Sequence, residues 1–131
     1  MFRKRKKITV TLLLAAIVTV SVAAGKLTAE RNLKVLPKDI SDQKLDSIMQ
    51  TYNKALGVKC GFCHVPVKNI ADSLDYASDA EPMKEEARKM MRMTIYINKT
   101  HFYFDSTIRP EYLHVITCKT CHQGEPFPPE N

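Results

Sequence analysis

Cys60-Gly61-Phe62-Cys63-His64 recurs as Cys118-Lys119-Thr120-Cys121-His122, and the rest of the chain is read outward from this pair. Both copies match the attachment signature of a c-type haem. Two thiols add across the two vinyl groups of the ring, and the adjoining histidine rises beneath it as the proximal iron ligand. The two intervening residues set the thiols one helical turn apart. All 4 cysteines of the chain fall in these motifs, and 2 of its 4 histidines follow them directly, so no cysteine is left for another task. The expectation is two covalently attached haem c groups. Cys60 and Cys63 hold the first, with His64 as its iron ligand; Cys118 and Cys121 hold the second, with His122.

Other chemistries share a lone C-x-x-C, and they fit this chain poorly. A zinc site would combine the two pairs across 54 intervening residues, stranding both histidines and leaving their identical offset unexplained. A thioredoxin-like dithiol wants a strand-to-helix setting near a βαβ pattern, and no β-rich segment is evident.

At 131 residues the chain reads as a leader plus one domain, small enough that a protein-only core is marginal. Two bonded haems supply the missing apolar mass. The formal charge of +6 is concentrated in Arg3, Lys4, Arg5, Lys6 and Lys7. Beyond them 15 basic residues face 14 acidic ones, and haem propionates turn that balance slightly negative. A nucleic-acid partner is therefore rejected.

Residues 1–25 have the layout of an export signal: the basic cluster, the 17 uncharged residues Ile8 to Ala24, and small residues up to Gly25. The run is long for a signal core and short for a membrane span, so signal peptide and signal anchor are both open. No cysteine follows it closely to take a lipid. The basic end marks the cytoplasmic side, which puts the rest on the periplasmic side of a bacterial inner membrane, anchored or soluble. Residues 26–40 read as a tether.

Helical periodicity begins after it. Leu45, Ile48, Met49, Tyr52 and Leu56 form one stripe of a helix over about 42–56, with Ser41 as N-cap, Ile40 and Leu45 as a hydrophobic staple, and Gly57 at the C′ position. Met49, 11 residues before Cys60, is either a gap-filling core methionine or the sixth ligand of the first iron, and its place just upstream of a haem motif favours the ligand. Residues 65–80 are a polar loop. A second helix starts near Glu81 or Pro82 and runs to about Lys99, its apolar side made of Met83, Ala87, Met90, Met91, Thr94 and Ile97. The aromatic cluster His101 to Phe104 reads as haem-packing core, and the proline-rich tail as irregular.

The segment DYASDAEPMKEEARKMMRMTIYIN at 75–98, between CGFCH at 60–64 and ITCKTCHQGEPFP at 116–128, resembles the photosynthetic reaction-centre cytochrome c subunit family. The likeness runs over roughly residues 36–128. It implies an axial methionine on a helix ahead of each haem motif: Met49 for the first and Met90, in ARKMMRM, for the second, with Met93 its rival one turn away. Full-length members of the family carry four motifs, against two here, and the fourth haem uses a histidine in the interval where this chain has His101 and His114.

The reading is a mostly α dihaem cytochrome c domain over 41–128, followed by a tail at 129–131. It carries single electrons to redox partner proteins in a membrane-associated chain, photosynthetic or respiratory. The alternative is a dihaem peroxidase-like or reductase enzyme with one open iron. A zinc-binding structural module is the remote third.

Overall fold

The computed structural model describes residues 31–130. The leader expected at 1–25, residues 26–30 and Asn131 lie outside the described residues. Three α-helices follow in order, α1 (Asp42–Leu56), α2 (Pro82–His101) and α3 (Cys118–His122). Between α1 and α2 the two-residue strands β1 (Val65–Pro66) and β2 (Leu74–Asp75) pair antiparallel, Val65 opposite Asp75. Single 3₁₀ turns occupy Cys60–Phe62 and Pro110–Tyr112. The domain is mostly α.

Local chemistry sets the ends of α1. Ser41 Oγ accepts the Lys44 N–H at 3.3 Å, Asp42 and Lys54 complement the helix dipole, and Gly57 ends the helix at φ +65°. Gly57 has a second constraint. A Cβ there would stand 2.0 Å from the Gly124 carbonyl oxygen, and Gly124 N–H donates to Ala55 O at 2.9 Å. Glycine thus lets the end of α1 close directly on the turn after the second haem motif.

The apolar face of α1 meets a cluster of Leu36, Ile40 and Ile48, with Leu33, Leu45, Met49, Tyr52, Met91 and Tyr112 packed around it. This corrects the expected tether. Residues 31–40 are part of the domain: Leu36 and Ile40 are buried, Arg31 donates to Ile40 O and Asp42, and Asn32 donates to Ala77 O. Their apolar spacing was too short to read as an element, yet two side chains suffice to anchor the segment. Among the described residues only Leu36, Ile40, Ile48 and Ala55 are buried apolar side chains. Such a core is thin for a hundred residues.

Helix α2 starts as expected, with Glu81 accepting the Met83 N–H and Pro82 in the first turn, and continues two residues beyond Lys99 to His101. Its buried face differs from the expectation. Lys84, Arg88 and Asn98 are the buried residues, and they share one stripe with Met91 at spacings of four, three and seven. Lys84 Nζ donates to the carbonyls of Tyr76, Ala77 and Ser78, and Arg88 pairs with Asp79 and Glu85 and donates to Asn32 O. These cations pin the segment after β2 and the start of the domain onto the helix. Met90 and Met93 lie beside that stripe and are 40% and 45% exposed. Of the aromatic cluster, Phe104 is 88% exposed and forms no part of the core.

Candidate haem sites

Three residues separate the end of α1 from the first motif, which opens as a 3₁₀ turn in which Cys63 N–H and His64 N–H both donate to Cys60 O. That turn brings Cys60 and Cys63 onto one side. Asn53 Nδ2 approaches Cys60 Sγ at 3.4 Å, so α1 reaches the first thiol directly. Met49 lies one turn before Asn53 on the same face, where it also packs on the Leu36–Ile40–Ile48 cluster.

His64 is half-buried beside the segment that Lys84 pins. The Tyr76 ring meets its imidazole edge-on at 5.0 Å, and His64 Nδ1 is buried with no hydrogen-bond partner. Burial, then the Lys84 and Arg88 cations, hold its pKa below the ordinary value, against the opposing pull of Asp75. The neutral imidazole thus favoured is the form that ligates a metal. Burial pushes the Cys63 thiol up, with Glu81 adding to the effect and Lys84 opposing it.

At the second motif the spacing does what it promises: Cys118 to His122 is helix α3, with Cys118 and Cys121 one turn apart. Thr117 and Thr120 form a capping box at its start. Its end turns at Gln123, φ +55°, which brings the Glu125 carbonyl to 3.1 Å from His122 Nδ1. A proton on Nδ1 serves that bond and leaves Nε2 with a free lone pair for iron. Burial raises the pKa of the Cys118 thiol, and burial, then Cys118 nearby, raises that of the Tyr52 phenol.

A groove runs between α2 and α3. Met90, Met93, Thr94 and Ile97 make one wall; Ile116, Thr117, Cys118, Cys121 and His122 make the other. Both thiols, the histidine and both candidate thioethers of the second site therefore share one apolar space. The structure brings Met90 and Met93 together with the second motif, while His101 and His114 are exposed residues outside this lining. Sequence reasoning missed Asn98, Lys84 and Arg88. Their helical spacing with Met91 was the available signal, and the expected apolar side included none of the three.

The residues present fit haem. Each motif has two thiols and a histidine in one turn, the second faces an apolar wall, the first holds a buried imidazole nitrogen without a partner, and the protein core alone is thin. Among the described residues no cluster of three or more His, Cys, Asp or Glu suits a metal ion, so the two cysteine pairs do not converge on a zinc site. Comparison with known proteins agrees. The family model described as the photosynthetic reaction centre cytochrome C subunit matches residues 15–131. Cytochrome c-554 of Chloroflexus aurantiacus is 33% identical over 95 residues, which are 72% of this chain and 20% of that protein. The chain thus spans about a fifth of that relative's length. No solved structure matches. The chain belongs to the photosynthetic reaction-centre cytochrome c subunit family, c-type cytochromes with covalently bound haem.

Proposed function

We propose that the protein is an exported dihaem c-type cytochrome that carries single electrons in a membrane-associated chain and performs no bond chemistry on a substrate. Bound haem supplies a one-electron iron couple. Cys60 and Cys63 hold the first ring and Cys118 and Cys121 the second, with His64 and His122 as proximal ligands. Met49 and Met90 are the sixth ligands, Met93 being the rival of Met90. The observation that carries this reading is the shared groove of the second motif, in which the thioethers of α2 stand across from His122. Thioether ligation favours reduced iron and raises the potential.

A carrier is favoured over a peroxidase-like enzyme by the same groove. Its lining offers methionines on the α2 wall and no acid or base besides His122 to steer a proton. The ferric spectrum of the purified protein tests this. A methionine-to-iron charge-transfer band without a high-spin signal is expected; a stoichiometric high-spin haem that binds cyanide or peroxide rapidly favours the enzyme.

The basic and apolar leader supports a place on the periplasmic side of a bacterial inner membrane, with redox proteins of a photosynthetic or respiratory chain as partners. Among the described residues no helix is long and apolar enough to cross a membrane. The leader, where retained, is the proposed anchor. N-terminal sequencing of protein purified from cells decides it: a start near Gly25 means a cleaved signal, and an intact leader means an anchor.

A further inference from the structure

Asn98 is the most deeply buried side chain of the described domain, at 1% exposure, and it stands on the helix that bears Met90 and Met93. Its amide makes three hydrogen bonds, all to one backbone segment. Nδ2 donates to Leu113 O at 3.1 Å and to Ile116 O at 2.8 Å, and Oδ1 accepts the Ile116 N–H at 2.8 Å. Only this orientation of the amide satisfies all three groups, since the flipped one would set nitrogen against N–H and oxygen against two carbonyls. Ile116 lies two residues before Cys118, and Ile97, beside Asn98, lines the same groove as both cysteines.

We infer that Asn98 is a positioning residue for the second haem, fixing the motif that holds the ring at a set height and distance from the helix that supplies its sixth ligand. The physical need is plain. From Phe102 to Thr117 the chain contains one 3₁₀ turn and no longer element; Tyr112 ties its middle to the core, and Asn98 ties its last residues, next to Cys118. A buried amide that pairs an N–H and a C=O of the same residue locks translation and rotation of that backbone together. Apolar packing alone would tolerate sliding along the groove, and a thioether–iron bond does not tolerate it. The hydrogen bonds of the Asn98 amide all go to residues 113 and 116, so the first motif does not depend on this clamp.

The inference rests on the dihaem reading, and its test separates the two. The full mature protein is compared as wild type, Asn98→Ala and Met49→Ala by NMR of the ferrous state and by redox titration. A methionine bound to low-spin ferrous haem gives a methyl signal shifted far upfield by the ring, and Met49→Ala assigns one of the two. Asn98→Ala is expected to keep the Met49 signal and the potential of its haem, to lose or broaden the other signal, and to shift the other potential downward. Asn98→Ser, milder because a hydroxyl remains, serves where Asn98→Ala does not accumulate. The core variant Ile48→Val, matched for lowered thermal midpoint, is expected to leave both signals in place. Should the Asn98 variants unfold earlier yet retain both signals and both potentials, Asn98 is a fold residue only and the inference is overturned. A wild-type protein without upfield methyl signals contradicts the methionine ligands instead. In that case the potentials decide about Asn98: a shift confined to the second haem upholds it, and unchanged potentials overturn it.

Discussion

Three glycines give a graded test of how α1 closes on the second haem motif. At Gly57 an alanine meets two penalties. The left-handed backbone at φ +65° costs a side chain about 1–2 kcal/mol, and its Cβ would stand 2.0 Å from Gly124 O where ordinary contact begins at 3.4 Å. The backbone must move by more than about 1 Å, an overpacking that costs about 1–3 kcal/mol and also strains the Gly124 N–H to Ala55 O bond. Gly57→Ala should therefore lose about 2–5 kcal/mol, a large part of the roughly 5–15 kcal/mol that stabilises a domain. At Gly124, φ +102°, nothing lies within 4 Å, so only the backbone penalty applies, of order 1–3 kcal/mol. Gly61 has neither constraint, and its alanine variant should stay within about 0.5 kcal/mol of wild type. Thermal unfolding of the three variants reads this directly, since about 1 kcal/mol shifts the midpoint by roughly 4–8 °C in a domain of this size. Equal midpoints for Gly57→Ala and Gly61→Ala would refute the close approach of α1 to the turn that supplies the Glu125 carbonyl to His122.

Lys84→Met keeps the aliphatic stem but leaves the carbonyls of Tyr76, Ala77 and Ser78 without their shared donor; a loss of about 2–3 kcal/mol in denaturant unfolding is expected, against almost none for Lys89→Met in the exposed pair with Glu86. Asp79 is held well below its ordinary carboxylate pKa of 3.8, first by Lys34 and then by Asn32, Arg88 and Lys84. Because its folded pKa lies below the unfolded one, its contribution is complete above about pH 5 and fades as pH falls through and below 3.8; Asp79→Asn should flatten the acid limb of a stability–pH curve and leave its slope above pH 5 unchanged. For the second iron, Met90→Ala is expected to abolish one charge-transfer band and lower one potential while Met93→Ala preserves both, and the reverse outcome transfers the ligand to Met93.

The sequence made the chemistry legible because haem attachment uses covalent spacing, which survives any fold. Caps were legible for a similar reason: Ser41, Gly57, Glu81 and Pro82 act within one turn of where they stand. Residues 31–40 were misread because Leu36 and Ile40 carry no periodicity of their own and are recruited by Ile48 from another element. The buried face of α2 was misread on physical grounds too. Methionines were expected on its inward side, whereas Lys84, Arg88 and Asn98 find enough backbone carbonyls and carboxylates to offset the cost of their burial, leaving Met90 and Met93 for the haem groove. Such pairings join residues as far apart as Asn32 and Arg88, and no local pattern encodes them.

The central claim is that both motifs carry haem, and the mass of the intact protein produced in a haem-maturing host tests it most directly. The account predicts the polypeptide mass plus two haems, reduced to one by Cys118→Ala with Cys121→Ala and equally by Cys60→Ala with Cys63→Ala. An unmodified polypeptide with stoichiometric zinc would contradict it.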